Sequence, residues 1–201
     1  MTDHALPQSY FYAADVLEVS QELIGKMLYT AIDGVVTGGI IVETEAYRAP
    51  DDRASHAYGN RRTDRNSVMF DEGGVAYVYL CYGIHNLFNI VTGPAGTPHA
   101  VLIRAIQPII GIETMLQRRN KSTLNRAIAG GPGALSQALG ITRDLNGEVL
   151  SGPVVWVTDH HYVNSQDIIA SPRVGVDYAG QDALLPWRFR HKNSPWTSPA
   201  K

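Results

Sequence analysis

The chain contains one cysteine, Cys81, which excludes an internal disulfide and a zinc site built on cysteines. Lysine is scarce too, at Lys26, Lys121, Lys192 and Lys201 only. No apolar run reaches the ~18 residues that a membrane-spanning helix needs. Residues 1–9 lack the basic region and apolar core of a secretory signal, so a cytoplasmic location is expected. Internal repeats are absent. A surplus of positive charge is also missing: the formal net charge is -2, which argues against a generic nucleic-acid binder. What is present is 201 residues, 44% hydrophobic and 18% charged, the size and balance of one domain with a real apolar core. Residues 1–12 read as a loose arm of that single 1–201 domain.

The charge is unevenly placed. Lys26 is the only basic residue of residues 1–46 apart from histidine, against seven acids. Beyond it, Arg48, Arg53, Arg61, Arg62 and Arg65 cluster, as do Arg118, Arg119, Lys121 and Arg126, and then Arg188, Arg190 and Lys192. On one face these clusters would make a basic footprint; scattered, they are solvated surface arginines.

Asp15 and Glu18 have capping-box spacing before an apolar pattern, predicting a helix over residues 15–24. Strands are predicted over residues 26–32 and 35–47, joined by an Asp33-Gly34 turn and bent at Gly38-Gly39. Residues 50–74 are long and aperiodic, consistent with a functional loop. Further strands are expected over 75–82, 86–92, 99–107, 153–157 and 173–176, with helices over 110–119 and 133–139. Strands interrupted irregularly by helices indicate an α+β domain on a mostly antiparallel sheet.

Several residues stand out chemically. Side chains alternate along a strand, so Glu43, Glu45 and Tyr47 share one face. Paired carboxylates raise one another's pKa and make either a candidate general base; parity does not choose between them. Tyr77 and Tyr79 point the same way, while Tyr82 has opposite parity at a Tyr82-Gly83 turn. A tip tyrosine is either a wedge for DNA or a ring folded back on its hairpin. His56 lies in the Arg-rich loop with Arg65, at a spacing from Glu45 that fits no zinc motif. Gly131 and Gly133 precede a helix whose free N–H groups suit a phosphate, without the lysine of a P-loop; a plain structural turn fits as well. Arg104 and Asn89 interrupt apolar strands and need a partner or a ligand.

Together these segments resemble the alkyladenine (3-methyladenine, or methylpurine) DNA glycosylases. The matching text includes residues 41–47 (Glu43, Glu45, Tyr47), Ser55-His56, residues 63–66, Tyr77 to Tyr79, Tyr82-Gly83, Asn89-Ile90, and Arg104-Ala105. It continues through residues 131–135, Arg173 to Val176 and Ser194-Pro195-Trp196, so it spans about residues 17–196 in order. The resemblance implies hydrolysis of alkylated or deaminated purines flipped out of duplex DNA, without metal, cofactor or lyase step; a monomer suits a protein that scans DNA. It implies that Glu45 activates water and that Arg104 holds the water or a phosphate. Tyr47, His56 and Tyr79 would enclose the base, with Asn89 at the floor against the 2-amino group of guanine. Tyr82 would fill the gap in the duplex, and Gly83, Arg65, Gly131 and Gly133 would contact DNA. The implied fold is a mixed domain with flanking helices and a protruding hairpin, similar to the C-terminal domain of methionyl-tRNA formyltransferases.

The chain departs from the family pattern at residues 58–62 and at Asp177-Tyr178, which puts DNA contacts or base preference in doubt there. Two rival readings are a non-catalytic module for damaged DNA or RNA, and a hydrolase of free nucleosides. The last predicts that Tyr82→Ala changes nothing, since no duplex gap needs filling.

Overall fold

Leu6 and Phe11 are buried in the computed structural model, which describes residues 5–12 and 15–199. The loose arm expected over residues 1–12 is therefore corrected for residues 5–12. The N–H of Leu6 donates to the carbonyl of Val157, and the short helix α1 (Ser9–Tyr12) turns Phe11 into the core. Removing these apolar side chains from water favours docking over a free arm. Residues 1–4 lie outside the described residues.

The apolar pattern Val16, Val19, Leu23 forms one side of α2 (Val16–Glu22) and is buried. Asp15 caps that helix by accepting from the N–H of Leu17 at 2.8 Å. Next, β1 (Met27–Ile32) and β2 (Val35–Arg48) make the expected hairpin, with Asp33 and Gly34 both at positive φ. Residues 50–74 are not shapeless: 3-10 turns at Tyr58–Asn60 and Asp64–Phe70 organise them, the second boxed by Thr63 and Asn66.

A meander follows of β3 (Ala76–Cys81), β4 (His85–Thr92) and β5 (His99–Ile110). The last runs further than expected because Gly111, at φ 68°, provides the break into α3 (Ile112–Arg118). After α4 (Pro132–Leu139) come three short strands, β6 (Val155–Thr158), β7 (Ile168–Ser171) and β8 (Arg188–His191). The strand expected over residues 173–176 does not form. Gly175 takes φ 74°, outside the strand region, and the N–H of Val174 is committed to a carboxylate.

The strand order is β3-β4-β5-β2-β1-β6, with β8 pairing both β2 and β7, and each of these pairings is antiparallel. The fold is thus mixed α+β on a mostly antiparallel open sheet with few helices. No helix among the described residues is long and apolar enough to cross a membrane.

Two bulges at the centre of the sheet decide where the polar residues point. Between β2 and β5 the register jumps from Ile41↔Ile106 to Glu43↔Ala105, then to Thr44↔Ile103. Val42 is extra on β2, and Arg104 is extra on β5. The two insertions cancel, so pairing on either side keeps the same register. Each bulge reverses the alternation of its strand. Ile41 and Ala46 therefore both reach the main core, as do Ile103 and Ile106. Thr44 faces α2, donating to the carbonyl of Ser20 at 2.8 Å. Glu43, Glu45 and Tyr47 are left together on the other face with Arg104.

Phe11→Ala is expected to destabilise the protein by about 3–5 kcal/mol, the cost of emptying a buried aromatic site. Urea denaturation measures it; a change under about 1 kcal/mol would mean that the segment is not docked.

Candidate active site

Glu43 is fully buried, so its charge needs partners. Its Oε1 accepts from Arg104 Nε at 2.7 Å, Arg188 Nε at 2.8 Å and the Ser198 hydroxyl at 2.7 Å. Its Oε2 accepts from the N–H of Ser198 at 2.5 Å. Burial pushes the carboxyl upward, but Arg104, Ser198 and Arg188 outweigh it and hold it below the usual range.

Arg104 connects this cluster to Glu45, with Nη1 3.3 Å from Glu45 Oε1. The same oxygen accepts from the N–H of Val174 at 2.8 Å, and Oε2 accepts from the Tyr47 hydroxyl at 2.8 Å. Burial dominates here. It raises the Glu45 carboxyl above its ordinary value although Arg104, Val174 and Tyr47 each favour the charge. The two carboxylates that parity could not separate are therefore pushed in opposite directions.

Arg173 braces the neighbouring segment. It forms a two-pronged pair with Asp52 at 2.5 and 2.7 Å and donates to the carbonyls of Ala46 and Asp182. Its guanidinium lies over the Tyr47 ring, 4.8 Å from the centroid. Tyr47 lines the cavity that opens beside it, and Arg173 does not.

That cavity measures about 870 Å³, ample for a purine nucleoside. Its wall carries Tyr47, His56, Tyr77 and Tyr79, with Asn89 and Arg104 at depth. His56 meets Tyr79 edge-on at 4.6 Å, and its Nδ1 pairs with the Tyr77 hydroxyl at 2.9 Å. The His56 ring opens onto the cavity, yet desolvation by the walls and the nearby Arg65 cation bring its pKa down to about 4. It is neutral at physiological pH. The Asn89 amide spends its hydrogens on the carbonyls of Tyr77 and Leu87, at 3.0 and 3.3 Å. Its own carbonyl oxygen is the polar group left for the cavity.

Tyr82 sits at the turn of the β3–β4 hairpin at φ 51° and is 89% exposed, which rules out a ring folded back on its own strands. Gly83 follows at φ 75°. Arg65 donates to the carbonyl of Leu80 at 3.1 Å and lies over Tyr79 at 5.2 Å, bracing the hairpin. Gly133 lines the cavity next to His85, so close that a Cβ there would meet that ring at 2.8 Å. Gly131 is the N-cap of α4. The structure thus gathers Arg104, Tyr47, His56, Tyr79 and Asn89 at one cavity, with Tyr82, Gly83, Arg65 and Gly133 around its mouth, and Glu45 buried behind the wall against Tyr47 and Arg104.

The basic clusters need correction. Arg188, read as part of a surface tail, is buried against Glu43. Arg118 and Arg119 are tied to main-chain carbonyls, though Arg119 also lines the cavity. Arg61, Arg62 and Arg65 stay exposed. Val174, Arg173, Asp52 and Ser198 are the contributors that sequence reasoning missed, and Tyr77, singled out there without a role, bonds His56. No three His, Cys, Asp or Glu side chains among the described residues are grouped to hold a metal ion.

A sequence model of the methylpurine-DNA glycosylase family matches residues 10–195. A Chlamydia felis protein provisionally named a 3-methyladenine DNA glycosylase is 48% identical over 185 residues, 92% of this chain and 94% of that one. A Bacillus cereus protein of the same provisional name is 46% identical over 197 residues, 94% and 96% of the two chains.

The opposed shifts give a testable contrast. Glu43 has a depressed folded pKa, so its contribution is complete above ~4.3, the unfolded glutamate value, and is lost as pH falls through the folded one. Glu43→Gln should cost about 3–5 kcal/mol at pH 7 by leaving buried arginine charge uncompensated. Glu45 has a raised pKa, so its ionised form is disfavoured by folding and Glu45→Gln should cost less than Glu43→Gln at pH 7. Denaturant midpoints of the two variants measure the difference; equal losses would refute it.

Proposed function

The chain belongs to the methylpurine-DNA glycosylase family, and on that premise we propose that it flips an alkylated or deaminated purine out of duplex DNA and hydrolyses its N-glycosidic bond through Glu45. Membership makes it a DNA glycosylase, a hydrolase of DNA repair that acts on damaged DNA. The proposed substrates are 3-methyladenine, 7-methylguanine, ethenoadenine and hypoxanthine. The observation that carries the reading is a buried carboxylate of raised pKa, bonded to Tyr47 and paired with Arg104, two residues that line an aromatic cavity.

A base inside the duplex cannot be reached, so it must leave the stack. Tyr82, exposed on the hairpin, enters the gap. The purine stacks on the Tyr47 ring, with Tyr79 and His56 closing the pocket. With Tyr77 donating to Nδ1, the neutral His56 carries its proton on Nε2 and donates to the purine edge. Asn89 fills the space that the guanine 2-amino group would need. Arg65, Gly83, Gly131 and Gly133 meet the DNA backbone around the mouth.

As the glycosidic bond breaks, positive charge develops on the sugar. Glu45 stabilises it and takes a proton from the attacking water. Three donors already hold this carboxylate, and Oε2, bonded only to Tyr47, keeps a lone pair for that water. Arg104 fixes Glu45 while being fixed itself by Glu43. We also propose that the chain acts at the lesion as a monomer. We propose in the same terms that the fold is shared with the C-terminal domain of methionyl-tRNA formyltransferases, which the open antiparallel sheet with few helices supports.

Glu45→Gln should lower base release from lesion duplexes by at least about 10²-fold, while lesion binding changes little. Alkaline cleavage at abasic sites reads the first and a binding titration the second. Retained excision by folded Glu45→Gln would overturn the assignment. In the wild-type enzyme, excision should fall on acidification through one ionisation above ~4.3, set by Glu45, and not at the lower value of His56, about 4.

A further inference from the structure

Tyr178 is an exposed aromatic that the mechanism above leaves unused. It is 71% exposed, and it lines the same cavity as Tyr82, from a different element. Its hydroxyl donates to the carbonyl of Ala54 at 3.2 Å, which ties down the far end of the ring and leaves its faces to solvent. A tyrosine that served only the core would bury its ring and expose its hydroxyl; this one does the reverse.

Depth along the cavity assigns what it would meet. Tyr77 and Asn89 are buried at the inner end, where the base is placed. Tyr178 and Tyr82 stand at the outer end, on the path that an extruded nucleotide takes. Glu45 lies behind this wall, bonded to Tyr47 and paired with Arg104, and on the reading above it acts at the sugar carbon bearing the base. The N–H that holds Glu45 belongs to Val174, four residues before Tyr178 on one segment. That segment turns at Gly175, φ 74°, and Val176 and Ala179 are buried beside Ala54. Both the grip on Glu45 and the placement of the Tyr178 ring are therefore set by the same anchored stretch of chain.

We infer that Tyr178 is a further substrate-positioning residue, whose ring packs against the deoxyribose of the extruded nucleotide at the mouth of the cavity. It forms the second jaw opposite Tyr82: one tyrosine holds the gap in the duplex, the other holds the sugar that left it. This rests on the flipped-purine reading above. Because the sugar stays after the base has gone, the contact persists in the abasic product.

The test compares wild type, Tyr178→Ala and Tyr178→Phe on two duplexes of the same sequence, one undamaged and one with a tetrahydrofuran abasic analogue. Tyr178→Ala should lose about tenfold in affinity for the abasic duplex, as expected for removal of an aromatic platform under a nucleotide. Its affinity for undamaged DNA should stay within about twofold of wild type, because only the extruded sugar reaches the ring. Tyr178→Phe keeps the ring and should stay near wild type on both. An unchanged Tyr178→Ala, an equal loss on both duplexes, or a Phe variant as weak as the Ala variant would each overturn the assignment. Excision of hypoxanthine or ethenoadenine by wild type in the same preparation separates the two levels. With no excision, the flipped-purine reading itself falls; with excision and an unaffected Tyr178→Ala, only this inference does.

Discussion

The carboxylate of Glu43, buried beneath two arginines, is the contact on which the rest of the site depends. Burying it alone would be prohibitive, and breaking up such a cluster leaves charge stranded in a poor dielectric. The partners that make it tolerable come from three places: Arg104 on β5, Arg188 on β8 and Ser198 near the end of the chain. Satisfying one carboxylate thus fastens β2 to both neighbouring strands and draws the C-terminal segment onto the sheet. It also removes the freedom of Arg104, and a fixed Arg104 fixes Glu45.

The sheet had to be deformed for this to happen. In an unbroken β2, Ile41 and Glu43 would share a face, and one would be misplaced. The extra residue at Val42 separates them, and the compensating one at Arg104 does the same for β5. An apolar layer beneath the helices and a polar layer at the cavity are thereby built from the same two strands. The buried charges also balance by pairs. Glu43 and Glu45 face Arg104 and Arg188, while Asp52 faces Arg173. The charged side chains that line the cavity itself are arginines, Arg65, Arg104 and Arg119, so its wall does not repel DNA.

Much of this was legible in the residues. The β1–β2 hairpin, the meander and the α2 cap have local signals that tertiary contacts merely confirm. Shared facing of Glu43, Glu45 and Tyr47 was also readable, since the bulge lies just before Glu43 and leaves the later alternation intact. What failed had non-local causes. Val-Gly-Val at residues 174–176 looks like a strand, but the positive φ of Gly175 and the pull of Glu45 on Val174 make it a turn. β7 and β8, four residues each, are too short to show a period. Arg188 reads as one cation among several in a basic tail; only the fold reveals that Glu43 needed it. Leu6 and Phe11 carried the opposite lesson, since two buried apolar side chains and a main-chain hydrogen bond dock a stretch whose composition looked loose.

The choice between the two carboxylates shows how geometry completes what parity leaves open. Both face the same way and both touch Arg104, so proximity does not distinguish them. Donor count and charge do. Glu43 Oε1 takes three donors and Oε2 takes the N–H of Ser198, and the group is held ionised below the ordinary range. A carboxylate so occupied has little basicity and little room to accept a proton from water. Glu45 has fewer donors, a raised pKa and an oxygen whose single partner is a tyrosine on the cavity wall. A general base needs a proton affinity near the working range and a free lone pair aimed at its substrate. Of the two, Glu45 is the one whose carboxyl is raised, and burial raises it against the pull of Arg104.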